Sequence, residues 1–276
     1  MPESPVAGSQ AGADGRRASP FLDTSRPNIA RVYDYWLGGK DNFEADRAEA
    51  EKLLLIFPGL RQLVRENRQF IGRAVSWTAG RGIGQFVDVG AGLPTSPSTH
   101  ESARAVSPGA RVAYVDNDPV VVSHARALLA AGNNAVAAVQ ADLRDPAGVL
   151  ASPELLAVID LSEPACLILG AVLHLMQAGP AAAIAAEYIR ALAPGSYVII
   201  TMARYDDLAL GDKIMHEYSA GTFYNHSPEE AATFFRGLEL VPPGLTSGRT
   251  WRAGMPEPGL PRGGVYALAG VGRKPG

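Results

Sequence analysis

Residues 85–95 read QFVDVGAGLPT, and the acidic turn YVDND at 114–118 answers them. Phe86, Val87 and Val89 predict a short buried strand. Gly90-Ala91-Gly92 then allows a sharp turn with bare backbone against a ligand, because glycine has no Cβ to clash. Ser98-Thr99-His100-Glu101 has capping-box spacing and opens a helix. Arg111–Val115 predicts a second strand with Asp116 at its carboxyl end, where open α/β sheets bind ligands. A glycine turn after one strand and a carboxylate after the next form two halves of a nucleoside site. The carboxylate accepts from two ribose hydroxyls while the glycines admit the rest of the ligand.

The loop chemistry separates two nucleosides. A dinucleotide fingerprint places a third glycine at position 95, to pack helix against strand near a pyrophosphate. Thr95 stands there, and Pro94 stiffens the loop and removes a donor. S-adenosylmethionine has a sulfonium cation and no pyrophosphate, so it needs close approach and nearby carboxylates. Asp88 on the first strand, Asp116 on the second and Asp142 after the third suit it better. The plainer alternative is a tight turn with solvated acids.

Residues 1–22 are rich in Ser, Gly, Ala and Pro and predict a disordered tail. Residues 23–80 predict a helical extension packed on the core. Asn28–Leu37 is a short helix closed by Gly38-Gly39, with Asn28, Arg31 and Tyr35 sharing one face. Phe43–Ile56 and Gly59–Ala79 follow as helices. Just before Phe43, DYWLGGKDN (residues 34–42) crowds aromatic, glycine, lysine and carboxylate groups into one turn. That turn either packs and does nothing else or forms a rim beside the ligand, with Tyr35, Gly38 and Lys40 as its contacts.

Residues 81–276 predict the ligand-binding domain. Helix Pro119–Ala131 ends at Gly132-Asn133-Asn134, and strand Ala135–Gln140 leads to Asp142 and Leu143. There Asp142 could take the exocyclic amine of adenine, with Leu143 against the ring, or Asp142 could cap a short helix near Pro146. Glu154–Ile159 is a helical segment, Ala165–Leu169 a fourth strand, Pro180–Leu192 a helix and Ser196–Met202 a fifth strand. Strand and helix alternate throughout, which implies a parallel sheet with helical crossovers. The fourth strand leads into Gly170-Ala171-Val172-Leu173-His174, at the level where a substrate meets a methyl donor. His174 is the candidate general base, since imidazole titrates near neutrality; a structural histidine is the alternative. The helical insertion over 206–220, with Tyr218, Phe223, Tyr224, Asn225 and His226, could cover a substrate pocket. The long loop 242–264 carries Trp251, and long loops in compact domains are often functional.

Composition narrows the partners. The formal charge of −3 shows no basic footprint, which argues against a nucleic-acid partner. Cys166 is the single cysteine, in an apolar run, so it is expected as a buried small hydrophobe and offers no intramolecular disulfide or cysteine metal cluster. No signal segment or membrane-length apolar run is present, so a soluble cytoplasmic protein is expected.

NIARVYDYWLGGKDNFEADR, DVGAGLPT followed by THE, YVDNDPVV and the closing VYALAGVGRK resemble an actinobacterial S-adenosylmethionine-dependent methyltransferase family once catalogued as a domain of unknown function. The resemblance runs from about Arg26 to the C-terminus; Ser98 stands where members usually carry asparagine. It implies a class I methyltransferase (Rossmann-like) α/β fold, with a seven-stranded, mostly parallel sheet whose last strand inserts antiparallel. It also implies that Gly90, Ala91 and Gly92 line S-adenosylmethionine, Asp116 and Asn117 hold its ribose, and Asp142 and Leu143 flank its adenine. The fourth strand is not followed by the Asn/Asp-Pro-Pro-aromatic run that many amino-group methylators use. Methyl transfer to a small organic acceptor, on oxygen, is therefore expected. A donor-binding sensor or scaffold without turnover and a nicotinamide-dependent oxidoreductase are the alternatives.

Overall fold

Alternation along the predicted strands sorts the core into two layers in the computed structural model, which describes residues 24–129, 135–254, 260 and 264–276. Strand β1 (Gln85–Val89) is buried throughout. Phe86 joins one apolar layer, and Val87 and Val89 join the other, as a side-chain period of two requires. On one side β1 pairs in parallel with β2 (Arg111–Asp116), and β2 with β3 (Val136–Gln140). On the other side β1 pairs in parallel with β4 (Cys166–Gly170), and β4 with β5 (Tyr197–Tyr205). Sheet growth therefore reverses between β1 and β4, the switch point outside which such sheets bind ligands.

Three further strands complete the sheet: β6 (Glu239–Leu240), β7 (Thr246–Ser247) and β8 (Val265–Arg273). β8 runs antiparallel to β5, so the last strand inserts as expected, but the sheet has eight strands rather than seven. The register explains the extra one. β6 covers only Arg273 and Gly272 of the nine-residue β8, and the edge left open at Leu268 and Ala269 pairs with Ser247 and Thr246.

Helices α1 (Ile29–Leu37), α2 (Glu44–Ile56) and α3 (Leu60–Ala79) precede the sheet. Asn28 caps α1 by accepting from the Ala30 and Arg31 amides, and Gly38, at φ +89°, ends it. α3 lays Phe70, Ile71, Ala74 and Val75 against Phe86, Ile168 and Ile199 on one sheet face. Along the rest of the chain, α4 (Thr99–Arg104) begins with the expected Ser98–Glu101 capping box, and α5 (Pro119–Leu129) follows β2. The short helix near Pro146 forms as α6 (Pro146–Leu150), and the segment expected over 154–159 forms as the shorter α7 (Pro153–Leu156). Asp145 and Ser152 each cap a turn that starts with proline, so each initiates its own helix. α8 (Ala178–Ala191) covers the second sheet face with Ala181, Ala185 and Tyr188. α9 (Leu208–Glu217) and α10 (Pro228–Thr233) complete the set.

A third apolar cluster joins the N-terminal helices to the insertion: Val32, Trp36, Leu53 and Val64 pack with Tyr205, Ile214, Tyr218 and Ala267. Trp251, from the long loop, is fully buried with its ring edge-on to Phe70 at 5.3 Å, and its carbonyl accepts from Arg73 Nε at 3.1 Å. The described part of that loop is thus anchored on α3. Cys166 is buried in β4, and burial pushes its thiol up to about 12. The expected tail over 1–22, the turn 132–134, and residues 255–259 and 261–263 of the loop lie outside the described residues. Among the described residues, no helix is long and apolar enough to cross a membrane.

Candidate functional site

The loop after β1 is tied to the end of β2 by backbone geometry. Gly90 and Gly92 adopt φ of +71° and +66°, a region that disfavours side chains. A Cβ at Gly90 would collide with Val172 Cγ1, whereas one at Gly92 would meet no atom within 4 Å. The amides of Gly90 and Ala91 both donate to the Val115 carbonyl, at 2.8 and 3.2 Å. Gly92 N donates to Asp116 Oδ2 at 2.9 Å, and Asp118 N to Asp116 Oδ1 at 2.9 Å. Burial raises the Asp116 carboxyl above its ordinary value, and these two amides oppose the rise. Each carboxylate oxygen keeps a second lone pair for a ligand hydroxyl.

A cavity of about 330 Å³ opens at the carboxyl ends of β1, β2 and β4. Gly90, Ala91, Gly92, Asp116, Asn117, Leu143 and Ala171 all line it. Ala171 takes φ +58°, left-handed without being glycine, and its amide donates to Thr201 O at 3.0 Å and Thr201 Oγ1 at 2.9 Å. Such backbone costs on the order of 1–3 kcal/mol and clusters at functional sites.

Other expected contacts lie elsewhere. Asp88 is buried behind the loop, where it accepts from Thr99 Oγ1 at 2.6 Å and burial raises its carboxyl. Asp142 is outside the lining, gripped by Arg144, whose Nε lies 3.0 Å from both carboxylate oxygens. Asp145, not Asp142, caps the helix at Pro146. Tyr35, Gly38 and Lys40 are also outside the lining. The Tyr35 hydroxyl donates to Glu51 Oε1 at 2.5 Å and its ring lies under Arg61; Gly38 and Lys40 are exposed. Arg31 turns inward to Asp46, at 2.7 Å, rather than toward the cavity.

From α1 it is Ile29, Ala30, Tyr33 and Asp34, rather than Arg31 or Tyr35, that line the cavity, and the two residues from Tyr33 to Tyr35 are about 200° of rotation. The GGKDN turn acts through Asp34. Asp41 N and Asn42 Nδ2 donate to its Oδ2 at 3.0 and 2.9 Å, and a Cβ at Gly39 would collide with the carboxylate. Burial raises the Asp34 carboxyl. Asn28, Asn67 and Arg68 complete this side, and none was singled out as a ligand contact from the sequence. Asn28 had a legible signal as a helix cap; Asn67 and Arg68 sit mid-helix in α3 with none.

A second pocket, of about 60 Å³, adjoins the first and shares Ile29, Tyr33, Asn67 and Ala171 with it. His174 lines it, buried and stacked on Phe223 at 5.0 Å, which stacks in turn on Tyr218 at 4.6 Å. The 206–226 insertion thus delivers Tyr218 and Phe223 to this pocket. Asn225 instead holds the Tyr205 backbone, at 2.9 and 2.7 Å, and Tyr224 N donates to the His174 carbonyl at 2.7 Å. Burial, with a smaller contribution from His226, lowers His174 to about 3, so its imidazole is neutral near pH 7. No group of three or more His, Cys, Asp or Glu among the described residues is placed to hold a metal ion.

A family model described as S-adenosyl methyltransferase matches residues 15–275. A candidate methyltransferase from Thermobifida fusca YX is 42% identical, with a TM-score of 0.86 over 93% of this chain and 98% of its own. A DUF574 family protein from Streptomyces avermitilis MA-4680 is 35% identical, with a TM-score of 0.83 over 92% of this chain and 99% of its own. The magnesium protoporphyrin IX methyltransferase of Synechocystis PCC 6803 shares the fold at 14% identity, with a TM-score of 0.52 over 88% of this chain and 93% of its own. No curated protein matches the chain.

Proposed function

The chain belongs to the S-adenosyl methyltransferase family, and we propose that it methylates a small molecule on oxygen, acting in the cytoplasm. It is an S-adenosylmethionine-dependent methyltransferase, which sets aside the nicotinamide and silent-binder alternatives. The observation that carries the acceptor reading is the 60 Å³ pocket that meets the larger cavity at Tyr33, Asn67 and Ala171. A pocket of that size suits a compact group.

The residues around the larger cavity fit the donor. Bare backbone at Gly90 and Gly92 allows close approach, and Asp116 retains lone pairs for two ribose hydroxyls. Asn117 stands beside it, and Leu143 offers an apolar contact for adenine. Asp142 is committed to Arg144, so the adenine contact rests on Leu143. Asp34 and Arg68 bring a carboxylate and a guanidinium to the same cavity, suited to the ammonium and carboxylate of an amino acid. When bound, S-adenosylmethionine supplies a methyl group on a cationic sulfur, which departs as neutral S-adenosylhomocysteine while the acceptor oxygen gains the methyl and loses its proton.

His174 lines the acceptor pocket and is the candidate to receive that proton, with a structural role as the alternative. Its neutral imidazole has a ring nitrogen that can accept, and because burial lowers its pKa to about 3 it acts as a weak base unless the bound donor and acceptor raise it. Phe223 stacks on its ring, and Tyr218 stacks in turn on Phe223. The strained turn at Ala171 lies in both linings, where it sets donor and acceptor side by side.

Calorimetric titration with S-adenosylmethionine, S-adenosylhomocysteine and NAD, followed by transfer from methyl-labelled donor to hydroxyl and amine compounds, tests this reading. Saturable binding of the first two and label on oxygen are expected. Label on nitrogen would overturn the oxygen assignment, and binding of NAD alone would overturn the assignment of the cavity.

A further inference from the structure

We propose that the acceptor is a neutral, flat, single-ring compound carrying a hydroxyl, held in the pocket between α1, α3, β5 and the 206–226 insertion. This rests on the reading above that the pocket takes the methyl acceptor.

Charge is the first argument. The pocket is lined by no Asp, Glu, Lys or Arg. Its titratable members are kept uncharged by burial: His174 is lowered, and Tyr33, Tyr205 and Tyr218 are raised. An ionised acceptor would therefore lose its water without gaining a counter-charge, which is strongly unfavourable. A neutral one escapes that cost.

Unmet hydrogen bonding is the second. Two buried polar atoms of lining residues have no partner, Asn67 Oδ1 and His174 Nδ1. Asn67 Nδ2 already donates to the Tyr33 hydroxyl at 2.9 Å, which sets the amide so that Oδ1 can only accept. Buried polar groups in native proteins are nearly always satisfied, so an unpartnered acceptor on a lining residue marks where a donor would be accommodated. Asn67 belongs to both linings, so a hydroxyl bound to it would sit at the junction where the methyl group is delivered.

Shape is the third. Rings of Tyr33, Trp36, Tyr205, Tyr218, Phe223 and His174 surround the space, and the stack from Tyr218 through Phe223 to His174 presents flat faces. Aromatic walls favour a flat ring through offset or edge contacts. The volume of about 60 Å³ excludes a fused ring system, and a single ring fits only by extending toward the larger cavity at Tyr33, Asn67 and Ala171.

The test uses the full chain saturated with S-adenosylhomocysteine and three probes: p-cresol, its charged counterpart 4-hydroxybenzoate, and the neutral amine p-toluidine. Saturable binding of p-cresol is expected, at least tenfold tighter than 4-hydroxybenzoate. Phe223→Ala is expected to weaken p-cresol at least fivefold while S-adenosylhomocysteine affinity stays unchanged, which also reports that the variant is folded. Equal or tighter binding of 4-hydroxybenzoate, no p-cresol binding, or p-cresol binding indifferent to Phe223→Ala would each overturn the proposal. With S-adenosylmethionine, p-cresol should yield its methyl ether. Methylation of p-toluidine instead would overturn transfer to oxygen and leave the preference for a neutral ring standing.

Discussion

Asn28 Nδ2 donates to Asp118 Oδ2 at 2.9 Å, a bond that spans 90 positions of chain and joins the cap of the first helix to the acidic turn after β2. The same Asn28 side chain accepts from the Ala30 and Arg31 amides through Oδ1. Asp118 Oδ1 is meanwhile occupied by Val120 N at 2.8 Å. One amide therefore starts α1 and fastens it across the mouth of the larger cavity.

The two roles of Asn28 can be separated. Serine caps helices about as well as asparagine but is too short to reach Asp118, so Asn28→Ser should leave thermal stability nearly unchanged and weaken S-adenosylmethionine binding several-fold. Asn28→Ala should also lose about 1 kcal/mol of stability, the usual worth of a cap. Paired thermal melts and donor titrations check both, and equal donor affinity in wild type and Asn28→Ser would remove the fastening role.

Asp116→Ala takes away a charge-assisted acceptor and also strands the Gly92 amide. Donor affinity should fall by about 1.5–3 kcal/mol. Unchanged affinity in calorimetry would sink the ribose assignment.

Gly90→Ala combines backbone strain of about 1–2 kcal/mol with a collision against Val172 Cγ1. Its urea midpoint should drop clearly. Adding Val172→Ala should restore part of the loss, because the collision disappears while the positive φ remains. If the double variant is no more stable than the single one, the close approach is not what constrains this glycine.

His174 links stability to pH. Its folded pKa of about 3 lies below the ordinary value of 6.5, so the unfolded chain binds more protons between those values. The stabilising contribution is complete above pH 6.5 and is lost as pH falls toward 3, at up to about 1.4 kcal/mol per pH unit. The difference between wild type and His174→Leu, followed by urea melts from pH 7 to pH 5, should show that slope. Raised carboxylates such as Asp88 act in the opposite sense but cancel in the difference. Separately, His174→Ala should slow turnover roughly a hundredfold or more if the imidazole takes the acceptor's proton, with donor binding nearly intact.

Tyr35→Phe, Lys40→Ala and Asp142→Ala act outside the larger cavity. Each should change donor affinity by no more than about 0.5 kcal/mol, the usual range for surface substitutions. A tenfold loss in any of them would mean that the side chain swings onto the donor.

Much of this architecture is local and was therefore legible. Phe86, Val87 and Val89 alternate between two faces whatever surrounds them, Gly90 and Gly92 adopt positive φ that other residues avoid, and Ser98 with Glu101 closes a cap within four residues. Asp116 falls at a strand end because strand length and the following turn place it there. Tertiary packing decided the rest. Asn28, Arg31 and Tyr35 share a helical face in sequence, yet burial against α2 turned Arg31 to Asp46 and left Tyr33 and Asp34 facing the cavity. Arg144, two residues from Asp142, took a carboxylate that strand order alone would have offered to adenine. Asn67 and Phe223 lie far apart in the chain and meet one pocket only because α3 and the insertion pack onto the same end of the sheet. Rotation of a helix about its axis and competition for a charge are settled by long-range contacts, and no one-dimensional pattern encodes them.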